Sequence, residues 1–451
     1  MYNTRRYTDR LKHVFMMFSY LIVCFLNMQV LVEPRQGKRQ VLLLSFDGFR
    51  WDYAGKYHTP NLDWIARTGV QARRGIRTAF VTKTFPDHYT IATGLYEENH
   101  GIVNNKMYDP VYDEIFTKRN KDPKWWNGGE PLWITAKLQG LRTGTYFWPG
   151  SEVNFRGIMP DAYLTYNEKI SFRDRIDTAI KWLVEDKLDL VVAYFHEPDK
   201  AGHKYGAFSF GVEEAVREVD DTLGYLIDRL KEYDVLDNID IIIVSDHGMT
   251  NVTWDKEHLI NLNNYLNISS DVKYIPQIGA VGGIWPNNGK EDEVYNKLKN
   301  SHPHMTVYKK EELPEHYHYK HNRRICPILA IADEGYYIIY NSTDQYEKLK
   351  NFTGQHGYDN DLPSMHPIFY ARGPDFKMNY TREEFDTVNI YPLICHLLGI
   401  KPSPNNGSLS NIKDILTNES NNEIERNNSV LNSVFSTMFL FVTLVMILYS
   451  V

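Results

Sequence analysis

A chain of 451 residues with a formal net charge of -7 can bury a large core, and it has no long basic run with which to grip a nucleic-acid backbone. No nucleic-acid polymer is expected as a partner. Its 3 cysteines exclude a disulfide-rich module; Cys24 falls in an apolar N-terminal stretch, and Cys326 and Cys395 fit one bridge or two buried thiols equally.

In chain order, Arg5, Arg6, Arg10 and Lys12 precede an apolar run from Val14 to Val32. This is the pattern of a secretory signal peptide, or of an uncleaved signal anchor, over residues 1–36. A catalytic domain is assigned to 37–400. Within it, Val41 to Phe46, Leu188 to Tyr194 and Ile239 to Val244 have the length and branched content of buried strands. Between the last two, Val212, Val216, Val219, Leu223, Leu226, Ile227 and Leu230 recur at helical spacing. Strands alternating with amphipathic helices predict an α/β fold on a central, mostly parallel sheet, with ligands outside the carboxyl ends of its strands.

Residues 401–429 turn to Asn, Ser, Pro and Glu and are read as a stalk. Residues 430–451 are apolar, with no charge in or after them, which matches a glycolipid-attachment signal, with a C-terminal membrane span as the rival. Sequons at Asn251, Asn267, Asn341, Asn351, Asn379, Asn406, Asn418 and Asn427 predict N-linked glycans on an exported protein. The expected location is the outer face of the plasma membrane.

Polar residues cluster just after the predicted strands. Asp47-Gly48 follows the first; alone it would be a turn. Asp199 and His203, four apart, follow the second and can converge on one divalent ion, although a solvated loop fits as well. Asp246-His247 follows the third, where a buried charge is costly unless paired or metal-bound. His366 lies beside apolar residues that would hold its ring, and gains weight only from the others. Three carboxylates and three imidazoles without thiolate suit two catalytic zinc ions, which would clamp the attacking and leaving oxygens at phosphorus. Pro86 suits the first turn of a helix running to Thr93 and stopped by Gly94. Thr84 then stands at a helix N-terminus that favours its alkoxide as a nucleophile, although such a threonine in isolation is simply a cap.

The stretches SFDGFRWDY from Ser45, TKTFPDHYTIATGLY from Thr82, HGIVNNKMYDP from His100, FWPGSE from Phe147, EPDKAGH from Glu197, SDHGM from Ser245, GYDN from Gly357 and MHPIF from Met365 together resemble the ectonucleotide pyrophosphatase/phosphodiesterase family. That family is a branch of the alkaline phosphatase superfamily, and the resemblance runs from Val41 to Leu398. It implies an alkaline-phosphatase-like sheet with helices on both faces. It further implies one zinc on Asp199, His203 and His366, and a second on Asp47, Asp246 and His247 with Thr84 as nucleophile and ligand. Asn105 would donate to a phosphate oxygen. Phe85 and Tyr163 would sandwich a nucleotide base, with Trp148 and Tyr205 completing the wall. Without Cys-rich or nuclease-like modules, the chain resembles the short, single-domain members. The expected activity is hydrolysis of nucleotides and dinucleotides to nucleoside 5′-monophosphates, with choline phosphodiesters as the alternative substrates.

Overall fold

The computed structural model describes residues 39–340 and 352–417. Its main sheet takes β1 (Gln40–Phe46), β2 (Val70–Ala72), β3 (Thr143–Tyr146), β4 (Ala162–Leu164), β5 (Leu190–Phe195), β6 (Ile239–Val244), β7 (Phe369–Arg372) and β8 (Tyr380–Arg382). Their spatial order is β8-β2-β7-β6-β1-β5-β3-β4. The run from β6 to β4 is parallel throughout, and β7 is antiparallel to both of its neighbours. The three strands expected from the apolar runs are therefore the central ones, β5, β1 and β6.

Because successive side chains of a strand face opposite ways, each central strand feeds two cores. Leu42, Leu44 and Phe46 join Val191, Ala193, Ile241 and Ile243 on one face, where the helices Phe172–Val184 and Phe210–Glu232 cover them. Val41 and Leu43 join Leu190, Val192, Ile242 and Val244 on the other, beneath the helices Thr84–Thr93 and Ile390–Leu397. Both layers rest on apolar stripes that repeat at helical spacing. Register places Phe46 opposite Phe195 and Ser45 opposite Val244, so the central strands end in step. Residues that follow them emerge on one rim.

A second, antiparallel sheet of Val272–Gln277, Val281–Pro286, Met305–Lys309 and Ile328–Ala332 is inserted between β6 and β7. Cys326 packs against Gly283 of that sheet and Cys395 lies in the helix Ile390–Leu397, so the two are separate buried thiols rather than a bridge. Burial pushes each up to about 12.

Residues 401–417, expected to open a stalk, pack on the body. Ile412, Ile415 and Leu416 are fully buried in the main core, and residues 401–417 thus belong to the folded body despite their polar composition. The body closes on the rim opposite the exits of β1 and β6. There Arg39 Nη2 pairs with Asp375 Oδ1 at 3.3 Å, Thr417 N donates to Asp375 O at 2.9 Å, and Asp375 N donates to Asp240 Oδ1 at 3.2 Å, near the start of β6. Among the described residues no helix is long and apolar enough to cross a membrane. The N-terminal signal, the rest of the stalk and the apolar tail lie outside the described residues.

Candidate active site

The helix that begins at Thr84 runs to Thr93 and ends on Gly94, whose φ of 66° is the left-handed conformation that glycine adopts without steric cost. Thr84 is buried at its first turn, beside the exits of β1, β5 and β6. From those exits come Asp47, Asp199, Asp246 and His247. His247 Nε2 lies 3.1 Å from Asp246 Oδ2 and 3.5 Å from Asp47 Oδ1. His203 Nε2 lies 3.4 Å from Asp199 Oδ1, and His356 Nε2 lies 3.6 Å from the same oxygen. Two groups of three converge within 4.8 Å: Asp199 with His203 and His356, and Asp47 with Asp199 and His247.

His356 therefore stands where His366 was expected. His366 belongs to neither group; its Nδ1 faces Glu384 Oε2 at 3.4 Å in the turn before β7. The apolar neighbours that singled out His366 hold it in that turn, whereas His356 is stacked on His247 with ring centroids 3.5 Å apart. A signal was present in the sequence, since His356, directly before GYDN, forms with Gly357 the same His-Gly pair as His247-Gly248.

The hydrogen bonds around this cluster fit a metal. All three imidazoles engage a backbone carbonyl through Nδ1: His203 with Gly354 at 2.9 Å, His247 with Gly248 at 2.9 Å and His356 with Thr82 at 2.8 Å. That contact places the proton on Nδ1 and leaves Nε2 as a free donor atom pointing inward. Asp246 Oδ1 accepts from Gly48 N, His247 N and Ser245 Oγ, while Asp246 Oδ2, Asp47 Oδ1, Asp199 Oδ1 and His247 Nε2 are buried without a hydrogen-bond partner. Tyr194 donates to Asp47 Oδ2 at 2.6 Å. Burial drives the Asp47 carboxyl well above its ordinary value, and the nearby Asp246 and Asp199 act in the same direction. On Asp246 burial also raises the carboxyl, but the imidazoles of His247 and His88 outweigh it and hold it well below the ordinary range. Carboxylates at this density are stable as anions only around a cation.

Asn105 Oδ1 accepts from Phe85 N at 2.9 Å, which turns its NH2 group away from that amide as a spare donor beside the Thr84 turn. Next to the cluster opens a cleft of about 660 Å³ that includes Asp47, Thr84 and Asp199 and is walled by Phe85, Trp126, Phe147, Trp148 and Tyr166. A hollow of similar volume between Tyr295 and Thr306 is remote from these residues in the chain and includes none of them. Of the four aromatics expected around a base, Phe85 and Trp148 line the cleft. Tyr163 and Tyr205 do not. Tyr163 lies on the edge strand β4, and the tyrosine on the wall is Tyr166, three residues later, packed against Phe147 at 5.3 Å and Tyr194 at 6.1 Å. Tyr205 ends the helix Asp199–Tyr205 outside the cleft.

Comparison with known proteins agrees with this geometry. The family model for type I phosphodiesterase / nucleotide pyrophosphatase matches residues 41–359. Human ectonucleotide pyrophosphatase/phosphodiesterase family member 5 is 41% identical over 406 residues, covering 89% of this chain and 83% of its own length. Human bis(5′-adenosyl)-triphosphatase ENPP4 is 42% identical over 411 residues, 90% of this chain and 87% of its own. A solved structure of murine family member 5, an inactive threonine-to-alanine variant in complex with AMP, superposes with a TM-score of 0.80 at 43% identity, covering 84% of this chain and 100% of that one. With its alkaline-phosphatase-like sheet and a group of residues that could hold a metal ion at the strand exits, the chain belongs to the type I phosphodiesterase / nucleotide pyrophosphatase family, as a short, single-domain hydrolase of phosphodiester and pyrophosphate bonds.

Proposed function

We propose that this protein is an extracellular, membrane-attached, two-zinc hydrolase that cleaves nucleotides and dinucleotides to nucleoside 5′-monophosphates through a covalent intermediate on Thr84. The observation that carries the reading is the set of unpartnered ligand atoms gathered around Thr84 beside an aromatic-walled cleft. One metal would be held by Asp199, His203 and His356, the other by Asp47, Asp246 and His247. When bound, such ions supply Lewis acidity at the phosphate and favour the ionised hydroxyl.

The chain's own groups do the rest. A purine enters between Phe85 and Tyr166, which fixes the adjoining phosphate over Thr84. Thr84 Oγ1 gives up its proton to solvent water and attacks phosphorus; the new O–P bond forms as the bond to the leaving oxygen breaks, with the electron pair leaving on that oxygen. Asn105 Nδ2 donates to a non-bridging oxygen, where negative charge builds in the transition state. Water then attacks the phosphothreonine and restores the hydroxyl, releasing the 5′-monophosphate. Support for the substrate class comes from relatives that are a bis(5′-adenosyl)-triphosphatase and an AMP-binding protein, and choline esters are not favoured. Inactivation of the murine relative by one threonine-to-alanine change supports a threonine nucleophile.

Exposed sequons at Asn267, Asn379 and Asn406 are consistent with glycosylation outside the cell. Asn341, Asn351, Asn418 and Asn427 lie outside the described residues. Arg39 and Thr417 sit on the rim opposite the cleft. The test is product analysis of purified protein with diadenosine triphosphate: AMP and ADP are expected, with zinc-restorable loss on chelation. Activity indifferent to prolonged chelation would remove the metal mechanism.

A further inference from the structure

We propose that His196 donates a hydrogen bond from Nε2 to a ribose hydroxyl of the nucleotide in the cleft, and so selects ribonucleotides; this rests on the nucleotide reading above. His196 lines the cleft together with Asp47, Asp199 and Tyr166. It follows β5 directly and stands three residues before Asp199.

The tautomer of its ring is set from behind the wall. Arg175 Nη2 lies 3.3 Å from His196 Nδ1, and a guanidinium can only donate, so Nδ1 is the unprotonated, accepting nitrogen. The proton of the neutral ring then sits on Nε2. This is the reverse of His203, His247 and His356, whose Nδ1 atoms engage backbone carbonyls and whose Nε2 atoms carry the lone pair. His196 is therefore a donor on the cleft wall, and it belongs to neither ligand group.

The ring is held firmly in that state. Arg175 is fully buried and is fixed by Ile170 O at 3.2 and 3.1 Å and by Tyr194 O at 3.0 Å. Its guanidinium also faces the Phe147 ring at 5.1 Å, and Phe147 packs against Tyr166. The His196 ring meets Phe172 nearly edge-on, with centroids 5.3 Å apart. Burial, with Arg175 and Lys200 acting in the same direction, pushes the imidazole down to about 4, so it is uncharged at neutral pH. Glu168 and Lys200 on the same wall pair with each other at 3.5 Å. An uncharged donor suits a hydroxyl better than a phosphate, which is gripped best by charged donors.

In a nucleotide the ribose joins the base to the phosphate. Phe85 and Tyr166 take the base, Thr84 and the ligand cluster take the phosphate, and His196 shares its wall with Tyr166 and Asp199. The sugar is the part left for it to meet.

The experiment measures kcat/KM of the full-length wild type and of His196→Ala, His196→Gln and His196→Asn for the 5′-nitrophenyl esters of AMP, 2′-deoxy-AMP and 3′-deoxy-AMP. These share one base and one leaving group and differ only in the ribose hydroxyls. The wild type is expected to prefer the AMP ester over one of the deoxy esters by about fivefold, the effect of one neutral hydrogen bond. His196→Ala should abolish that preference. His196→Gln places an amide near the Nε2 position and should keep part of it, whereas His196→Asn reaches only the Nδ1 position and should keep the contact with Arg175 but not the preference. No preference in the wild type, or one that persists in His196→Ala, or one that survives in His196→Asn and not in His196→Gln, overturns the assignment and leaves the hydrolase reading intact. If the wild type cleaves none of these esters, the nucleotide reading falls and the assignment with it.

Discussion

The ligand cluster is made from two kinds of structure. Asp47, Asp246 and His247 follow directly from β1 and β6, and Asp199 follows β5 after a short turn. Their positions come from covalent continuity with buried strands that pair in register. His356 instead stands on an irregular segment after the short strand Gly354–Gln355. It is held by the segment just before Thr84: His356 Nδ1 engages Thr82 O at 2.8 Å, Lys83 Nζ donates to His356 O at 2.7 Å, and Gly357 N donates to Thr82 Oγ1 at 2.8 Å. Burial pushes Lys83 down to about 8. The strand-end residues Asp47, Asp246 and His247 are therefore placed independently of Thr84, whereas His356 is tied by hydrogen bonds to the segment that leads into Thr84.

The sharpest break is at the nucleophile itself. Thr84→Ala should leave the strand-end ligands in place and the fold stable, yet lower turnover by several orders of magnitude, because the covalent route is gone. Steady-state kinetics beside metal analysis checks this, and Thr84→Ser should recover part of the rate. Turnover near the wild-type value in Thr84→Ala would end the assignment.

Next in size is the loop ligand. His356→Ala should weaken metal retention in chelator competition by on the order of 100-fold, since loss of an outer-shell partner alone costs about 10–100-fold. His366→Ala should retain metal like the wild type. The opposite ranking would return His366 to the ligand set.

A smaller effect tests the coupling between the two halves. Thr82→Val keeps the volume but removes the hydroxyl that accepts from Gly357 N and donates to Tyr358 O at 3.0 Å. Metal affinity should fall roughly tenfold through a displaced His356. Thermal unfolding of the metal-free protein should shift only modestly. If affinity is unchanged, His356 is held by the remaining contacts and the two halves are independent.

The smallest effect concerns the cleft wall. Tyr166→Ala should raise KM for a nucleotide about fivefold, at the low end of base stacking because the ring is half exposed. Tyr163→Ala should leave KM unchanged. Equal responses would mean that neither ring defines a base slot.

Sequence alone determined those features whose cause is local. The three apolar runs, with the length and branched content of buried strands, are strands, the 212–233 pattern is seen as the helix Phe210–Glu232, and the Pro86-to-Gly94 signature marks a real helix with Thr84 at its start. Asp47, Asp199, Asp246 and His247 were legible because each lies within a few residues of a strand end, where register leaves little freedom. Tertiary structure decided the rest. Whether His356 or His366 turns toward the cluster depends on how a loop folds onto Thr82 and Lys83, far away in the chain. Which tyrosine faces the cleft depends on where the edge strand β4 stops, since Tyr163 lies within it and Tyr166 beyond it. Burial of Ile412, Ile415 and Leu416 requires the helix Ile390–Leu397 and the body beneath it, so a polar composition could not reveal that 401–417 packs. For the histidine and for the tyrosine, two residues of the same chemistry were available, and only contacts between distant segments selected between them.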